Sequence, residues 1–314
     1  MRVKFWGTRG SIPTPISPAA VEDKIRQALH GAVGLELTNT AAIERYIQRL
    51  PTTVRHTIGG NTACVEVRAG EQLLILDAGT GLRLLGYELM KADFGKGQGI
   101  AHVFISHTHW DHIQGLPFFI PAFVPGNRLT LYSPRADLEE ALVGQQTEIY
   151  FPVRLDALSA DLQFHRVPTK EWFRIADVRV CALPLSHPGG SYGFRIEHDG
   201  KSLVYATDAE YKRMSDASTQ EYVDFTRDAD VVVFDAQYTL SDVLDKAGWG
   251  HSSPMVGAEL AHRAGVKRLV LFHHDPLADD HAVYTGLKQA ETYLAKRHSD
   301  CQVGIASEGL EIEW

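Results

Sequence analysis

Cysteine is scarce in this chain of 314 residues, which has only Cys64, Cys181 and Cys301. They are odd in number, far apart and in no Cys-x-x-Cys arrangement. That argues against a disulfide framework or thiolate metal site and fits reduced core thiols of a cytoplasmic protein. Positive charge is also short, with 31 Lys and Arg against 39 Asp and Glu, a formal charge of −8 and a pI near 6.0. An extended electrostatic footprint on nucleic acid is therefore not expected, and neither is a long nucleic acid as partner. No apolar run reaches the length of a membrane span, so no membrane association is expected. "MRVKFWGTRGS" lacks the uninterrupted apolar segment of a secretory signal. With no linker or low-complexity stretch, residues 1–314 are expected to form one domain.

Histidine is plentiful, with 15 in the chain, several where strands should end. "CVEVRAG" and "QLLILDAGTG" read as a hairpin followed by a helix near residues 82–90. "AHVFISHTH" and "LTLYSP" read as strands, with a helix in "RADLEEALVGQQTE". "VRVCALPLSH", "YGFRIEHDG" and "KSLVYATDAE" read as three consecutive strands, the last two joined through Asp199 and Gly200. "DVVVFDAQY" and "RLVLFHHDP" add two strands. The helix between them has Ser253 as N-cap, Pro254 at its first position and Gly265 past its end. Strands in both halves with helices between them predict a mixed α/β layered fold.

One segment, about residues 16–55, reads as a helical insertion between "SIPTP" and "IGGNTACVEV". Its first helix opens at Ser17 and Pro18, with Val21, Ile25, Ala28 and Leu29 on one face. Its second opens near Thr40, carries Ile43, Ile47 and Leu50, and stops at Pro51. Such stripes need cover: the chain's own domain, a homodimer partner, or the substrate of an active-site lid.

The stretch "ISHTHWDHIQGLPFF" holds the chemistry. His107, His109, Asp111 and His112 form a His-x-His-x-Asp-His pattern directly after an apolar strand. Alternation lets His107 and His109 point one way while Asp111 and His112 diverge toward a second point. Imidazole and carboxylate donors suit Zn²⁺, with Mn²⁺ or Fe²⁺ as alternatives. Burying so many ionisable groups without a cation would be costly, so the loop reads as half of a dinuclear metal site. Further donors stand at later strand ends: His187, Asp208 (a carboxylate able to bridge two cations), His273 and His274.

Together, these motifs resemble the metallo-β-lactamase-fold hydrolases, and within them the phosphodiesterase branch that includes ribonuclease Z. The resemblance runs nearly end to end, through "FWGTRGSIP", "LILDAGTG", "SHTHWDHIQGLP", "GSYGFRIE", "GHSS" and "RLVLFHHDP". It implies a four-layer αβ/βα sandwich with two metal ions at one edge. It assigns His107, His109 and His187 to one metal, and Asp111, His112 and His273 to the other, with Asp208 bridging. A hydroxide between the metals would be the nucleophile. His274, adjacent to His273 on a strand, would face the other way, toward a supporting position or the substrate.

The resemblance also draws His251 and Asp235 into the site, so that Asp111, His251 and Asp235 are the catalytic candidates. His251, in "WGHSSP", would protonate the departing alkoxide, and Asp235, in "VVVFDAQY", would orient it. Here the chain departs from the branch's His-Glu-Ala-Thr pattern, because Phe234 replaces the histidine and Asp235 the glutamate. The expected function is hydrolysis of small phosphodiesters, cyclic nucleotides foremost. The alternatives are transfer-RNA 3′ processing, a non-hydrolytic di-metal sensor, and other esterases of the superfold.

Overall fold

The computed structural model describes residues 1–211 and 215–314. Two seven-stranded sheets face each other. The first holds β1 (Arg2–Gly7), β2 (Cys64–Ala69), β3 (Gln72–Leu76), β4 (Ile100–Phe104), β5 (Arg128–Ser133) and β6 (Asp161–Arg166), with β14 (Glu311–Glu313) beside β1. The second holds β7 (Trp172–Ile175), β8 (Val178–Leu185), β9 (Ser191–His198), β10 (Lys201–Ala206), β11 (Val231–Asp235), β12 (Arg268–Phe272) and β13 (Gln302–Ile305). The helices, in chain order, are α1 (Pro18–Ala32), α2 (Thr40–Arg49), α3 (Thr52–Arg55), α4 (Gly81–Leu89), α5 (Trp110–Ile113), α6 (Leu138–Gln145), α7 (Ala217–Thr226), α8 (Leu240–Asp245), α9 (Pro254–Ala264) and α10 (Asp280–Lys296). None is long and apolar enough to cross a membrane.

The strand patterns explain the layering. Val3, Phe5, Val65, Val67, Leu74, Leu76 and Phe104 point between the sheets and meet Val180, Phe194, Ile196, Tyr205, Val233 and Phe272 of the other sheet. Period-two alternation sends their neighbours outward. On the first sheet those neighbours, among them Ile75, Val103 and Leu131, pack under α4 and α6 through Leu82, Leu85 and Leu142. On the second, Val204, Val232, Phe234 and Leu271 pack under α7, α9 and α10 through Tyr222, Leu260 and Leu287. This is the helix–sheet–sheet–helix sandwich expected from the sequence.

The strands β3 to β6 run parallel, as do β10 to β13. The carboxyl ends of each parallel set therefore gather along one edge, where open α/β sheets place their ligands. The turn between β9 and β10 is the expected one, with both Asp199 and Gly200 at positive φ. Ser253 caps α9 and Gly265 closes it at φ 67°. Cys64 and Cys181 are buried, Cys301 is half-buried, and all three are free thiols.

Candidate metal centre

Every ligand candidate lies just past a strand at this edge. His107, His109, Asp111 and His112 follow β4, His187 follows β8, Asp208 follows β10 and His273 follows β12. The structure brings all seven together, in two sets.

In the first set, His109 Nδ1 lies 3.0 Å from His107 Nε2 and 3.1 Å from His187 Nε2. In the second, Asp111 Oδ2, His112 Nε2 and His273 Nε2 are 3.1–3.3 Å from one another, and Asp208 Oδ2 lies 3.2 Å from His112 Nε2 and 3.3 Å from His273 Nε2. The other Asp208 oxygen, Oδ1, faces the first set, 3.8 Å from His107 Nε2 and 3.9 Å from His187 Nε2. Asp208 thus spans both sets.

The donor sets fit divalent cations. Metal–nitrogen bonds of about 2.05 Å at tetrahedral angles put ligand atoms about 3.3 Å apart, close to the spacings in the second set. The neighbours also leave the right lone pairs free. His107 Nδ1 is 3.0 Å from Ser106 Oγ, which donates to Asp77 Oδ2 at 2.8 Å. His112 Nδ1 donates to Asp77 Oδ2 at 2.7 Å, and His187 Nδ1 to the Gly250 carbonyl at 2.9 Å. With Nδ1 protonated in each ring, Nε2 points its lone pair into the set. His109 alone offers Nδ1. On His273 the buried Nδ1 lacks a hydrogen-bond partner among the described residues.

Electrostatics point the same way. Burial lowers the pKa values of His107, His109 and His187, favouring neutral imidazoles. Burial would raise the Asp111 and Asp208 carboxyls, but the surrounding histidines hold both well below the ordinary range. Burial also opposes a charge on His112, yet Asp208, Asp111 and Asp77 push its pKa up. Carboxylates this closely gathered require a positive charge between them, and a bound cation supplies it without that proton.

His251 and Asp235 stand beside the centre. His251 Nδ1 donates to Asp235 Oδ2 at 2.9 Å, and its ring stacks on His273 with centroids 5.1 Å apart. Asp235 is fully buried and also accepts from the Ala209 and Gln237 backbone N–H groups. Burial works against a charged His251, but Asp235 outweighs it and pushes the pKa up to about 9. His274 does face away from the metal sets, as alternation requires. It meets no substrate-accessible surface: it is 2% exposed and donates through Nε2 to the Ala306 carbonyl at 3.0 Å. Burial drops its pKa to about 3.

Several working residues escape a reading of the sequence. Asp77 accepts from Ser106 N–H, Ser106 Oγ, His112 and the Tyr205 hydroxyl. Its place in "LILDAGTG" marks a turn but not this role. The Ser11 backbone N–H donates to Asp111 Oδ2 at 2.6 Å from a left-handed residue with φ 62°. Gly10 is required beside it, since a Cβ there would lie 2.5 Å from the His273 ring.

Among known proteins, the family model described as beta-lactamase superfamily domain matches residues 73–274, more than half of the chain and all seven ligand candidates. Ribonuclease Z of Acaryochloris marina is 24% identical over 291 residues, covering 74% of this chain and 86% of that protein. The metallo-beta-lactamase fold protein YhfI of Bacillus subtilis superposes with a TM-score of 0.66 at 18% identity, over 100% of this chain and 98% of its own. The short form of human tRNase Z gives 0.61 at 19%, over 100% and 99%. The chain belongs to the beta-lactamase superfamily and carries the metallo-β-lactamase fold.

Proposed function

We propose that this protein hydrolyses small phosphodiesters, cyclic nucleotides foremost, with two zinc ions held by His107, His109, His187, Asp111, His112, His273 and the bridging Asp208. When bound, such ions would supply Lewis acidity and water of lowered pKa. The observation that carries the reading is the His251–Asp235 pair, 2.9 Å apart beside the ligand sets. A sensor needs no proton donor, whereas a departing sugar alkoxide does. Asp235 keeps Nδ1 protonated and fixes the ring, leaving Nε2 to deliver a proton to the leaving oxygen. The apolar ridge of α1 supports a homodimer.

The test is a panel of 2′,3′- and 3′,5′-cyclic nucleotides against zinc-loaded protein, with bis-p-nitrophenyl phosphate as control. Turnover of cyclic nucleotides that is lost on chelation supports the reading. Activity that survives thorough chelation, or no turnover of any phosphodiester, overturns it. The ribonuclease Z relatives favour a second reading, cleavage at transfer-RNA 3′ ends. Efficient cutting of a precursor transfer RNA with cyclic nucleotides untouched would decide for it.

A further inference from the structure

Two exposed tryptophans adjoin residues of the candidate metal centre along the chain, and hydrolysis itself leaves them without a task. Trp110 lies between His109 and Asp111, and Trp249 lies two residues before His251. They are 80% and 63% exposed. Neither indole has a hydrogen bond, ring contact or ion pair among the described residues. Two of the other three tryptophans are partnered. Trp6 Nε1 donates to Glu66 at 2.8 Å, and the Arg179 guanidinium covers the Trp172 ring at 4.3 Å.

Both positions are fixed by backbone that the metal centre needs. Trp110 opens α5, whose next residues, Asp111 and His112, turn inward and are buried. Its indole is left on the outer face. Trp249 sits between two left-handed glycines, Gly248 at φ 90° and Gly250 at φ 85°. The Gly248 N–H donates to both carboxylate oxygens of Glu210, at 2.9 and 3.0 Å. The Gly250 carbonyl accepts from His187, and a Cβ on Gly250 would fall 2.3 Å from His187 Nδ1. His187 in turn lies 3.1 Å from His109, the exposed member of the first histidine set. Trp110 and Trp249 are therefore each one residue along the chain from a group of the His109–His187 pair, His109 itself and the Gly250 carbonyl that holds His187.

A rigid aromatic face beside a polar reaction centre suits a planar, weakly polar part of the substrate that takes no part in bond cleavage. We infer that Trp110 and Trp249 bind a nucleobase by stacking and so set the preference for base-bearing phosphodiesters. This rests on the phosphodiesterase reading. Stacking tolerates any base because every base has a π-face, so larger purines are expected to bind better than pyrimidines, without strict selection.

Calorimetric titration of the zinc-loaded protein with adenosine 5′-monophosphate and with ribose 5-phosphate tests the inference. The nucleotide is expected to bind more tightly. Trp110→Ala and Trp249→Ala should each weaken the nucleotide by roughly 5- to 100-fold, leave ribose 5-phosphate unchanged and raise KM for cyclic nucleotides with little change in kcat. Phe at either position should restore most of the affinity. Equal losses for both ligands, or no loss for either, overturn the inference. So does dissociation of an oligomer with nucleotide binding intact, which would assign the indoles to a protein contact. Tryptophan-dependent nucleotide binding without turnover of any phosphodiester would sink the proposed reaction and spare the base site. Turnover without base preference would do the reverse.

Discussion

The metal centre and the helical segment at residues 18–55 are attached to the same two sheets by opposite means. The centre is buried and strained. Ser11, Asp77, Asp208 and His273 all have φ between 56° and 62°, the left-handed region that residues other than glycine rarely adopt. Each is held there by short hydrogen bonds or strand pairing, so the donors are aimed before any cation arrives. The helical segment has no buried residue in α1, α2 or α3. Its half-buried side on α1 is Ala20, Lys24 and Ala28, while Val21, Ile25, Leu29 and Val33, the last just past the helix, are 41%, 54%, 66% and 78% exposed. It is anchored by polar contacts: Lys24 Nζ donates to Asp280 at 2.7 Å, to His56 O at 2.9 Å and to Thr53 O, and Asp280 also accepts from Thr57 and Ile58 N–H. One region is over-determined by its surroundings, and the other is tied down by a few contacts around Asp280 and α10. Changes at the first should therefore cost chemistry, and changes at the second should cost only local order or assembly.

The largest effect is expected at Asp208. Because its two oxygens face both ligand sets, Asp208→Ala should lose most of a complement of about two transition-metal ions per chain, together with all turnover. His274→Ala, one residue beyond a ligand candidate, should keep the metals and lower Tm by removing a buried ring. Elemental analysis of both variants after gentle purification decides the matter. Equal metal loss in the two would mean that Asp208 is no bridge.

His251→Ala comes next. A positioned imidazolium is commonly worth about 10²–10⁴-fold when an alkoxide must leave. The variant should keep both metals and near-normal KM, and lose kcat on cyclic nucleotides by that factor. On a p-nitrophenyl phosphodiester, whose phenolate leaves unaided, the loss should be much smaller. Equal losses on the two substrates would make His251 a positioning residue only.

Asp77→Asn should act through His112 and Ser106 without touching a metal. Partners of ligand histidines typically contribute about 10–100-fold in metal affinity or activity, so competition with a chelator should show a drop of that size, with stoichiometry restored at high zinc. Unchanged affinity would leave Asp77 as a fold residue of the β3 turn.

What could be read in the sequence follows the same division. The candidate ligands were legible because few residue types bind such metals, and His107, His109, Asp111, His112, His187, Asp208 and His273 all stand where apolar runs end. Their supports were not, because a backbone N–H such as that of Ser11, or a hydroxyl such as that of Tyr205, leaves no mark in residue type. The expected strands all form, but β6, β7, β13 and β14 went unread. β7, β13 and β14 have only three or four residues, and β6, "DLQFHR", is an exposed edge with little apolar alternation. α10 also went unread, although Val283, Leu287, Ala290 and Leu294 carry a helical period. In the helical segment the caps at Ser17 and Asn39 form. Periodicity told which residues share a face, but not what covers it. The structure leaves Val21, Ile25 and Leu29 uncovered by their own chain.

That uncovered ridge gives the smallest expected effect on catalysis and a clear one on assembly. Val21, Ile25, Leu29 and Val33 recur every four residues, the row that interlocks when helices pack ridge into groove. A second copy of α1 crossing about a two-fold axis at Ile25 would set Val21 of one against Leu29 of the other. Such self-complementary contacts are the commonest way soluble chains pair. Ile25→Glu combined with Leu29→Lys should convert a dimer to a monomer in sedimentation and leave kcat on small phosphodiesters within about twofold, because no ligand candidate lies on α1. Asp280→Ala supplies the contrast. It leaves the buried Ile58 N–H without its acceptor, at about 1–3 kcal/mol, and takes the carboxylate from Lys24, which keeps the Thr53 and His56 carbonyls, so hydrogen exchange should quicken across residues 18–55 while metal content stays unchanged. If the ridge variant sediments as the parent does, the apolar face does not pair copies of this chain. If it also changes KM, the segment belongs to the substrate entrance instead.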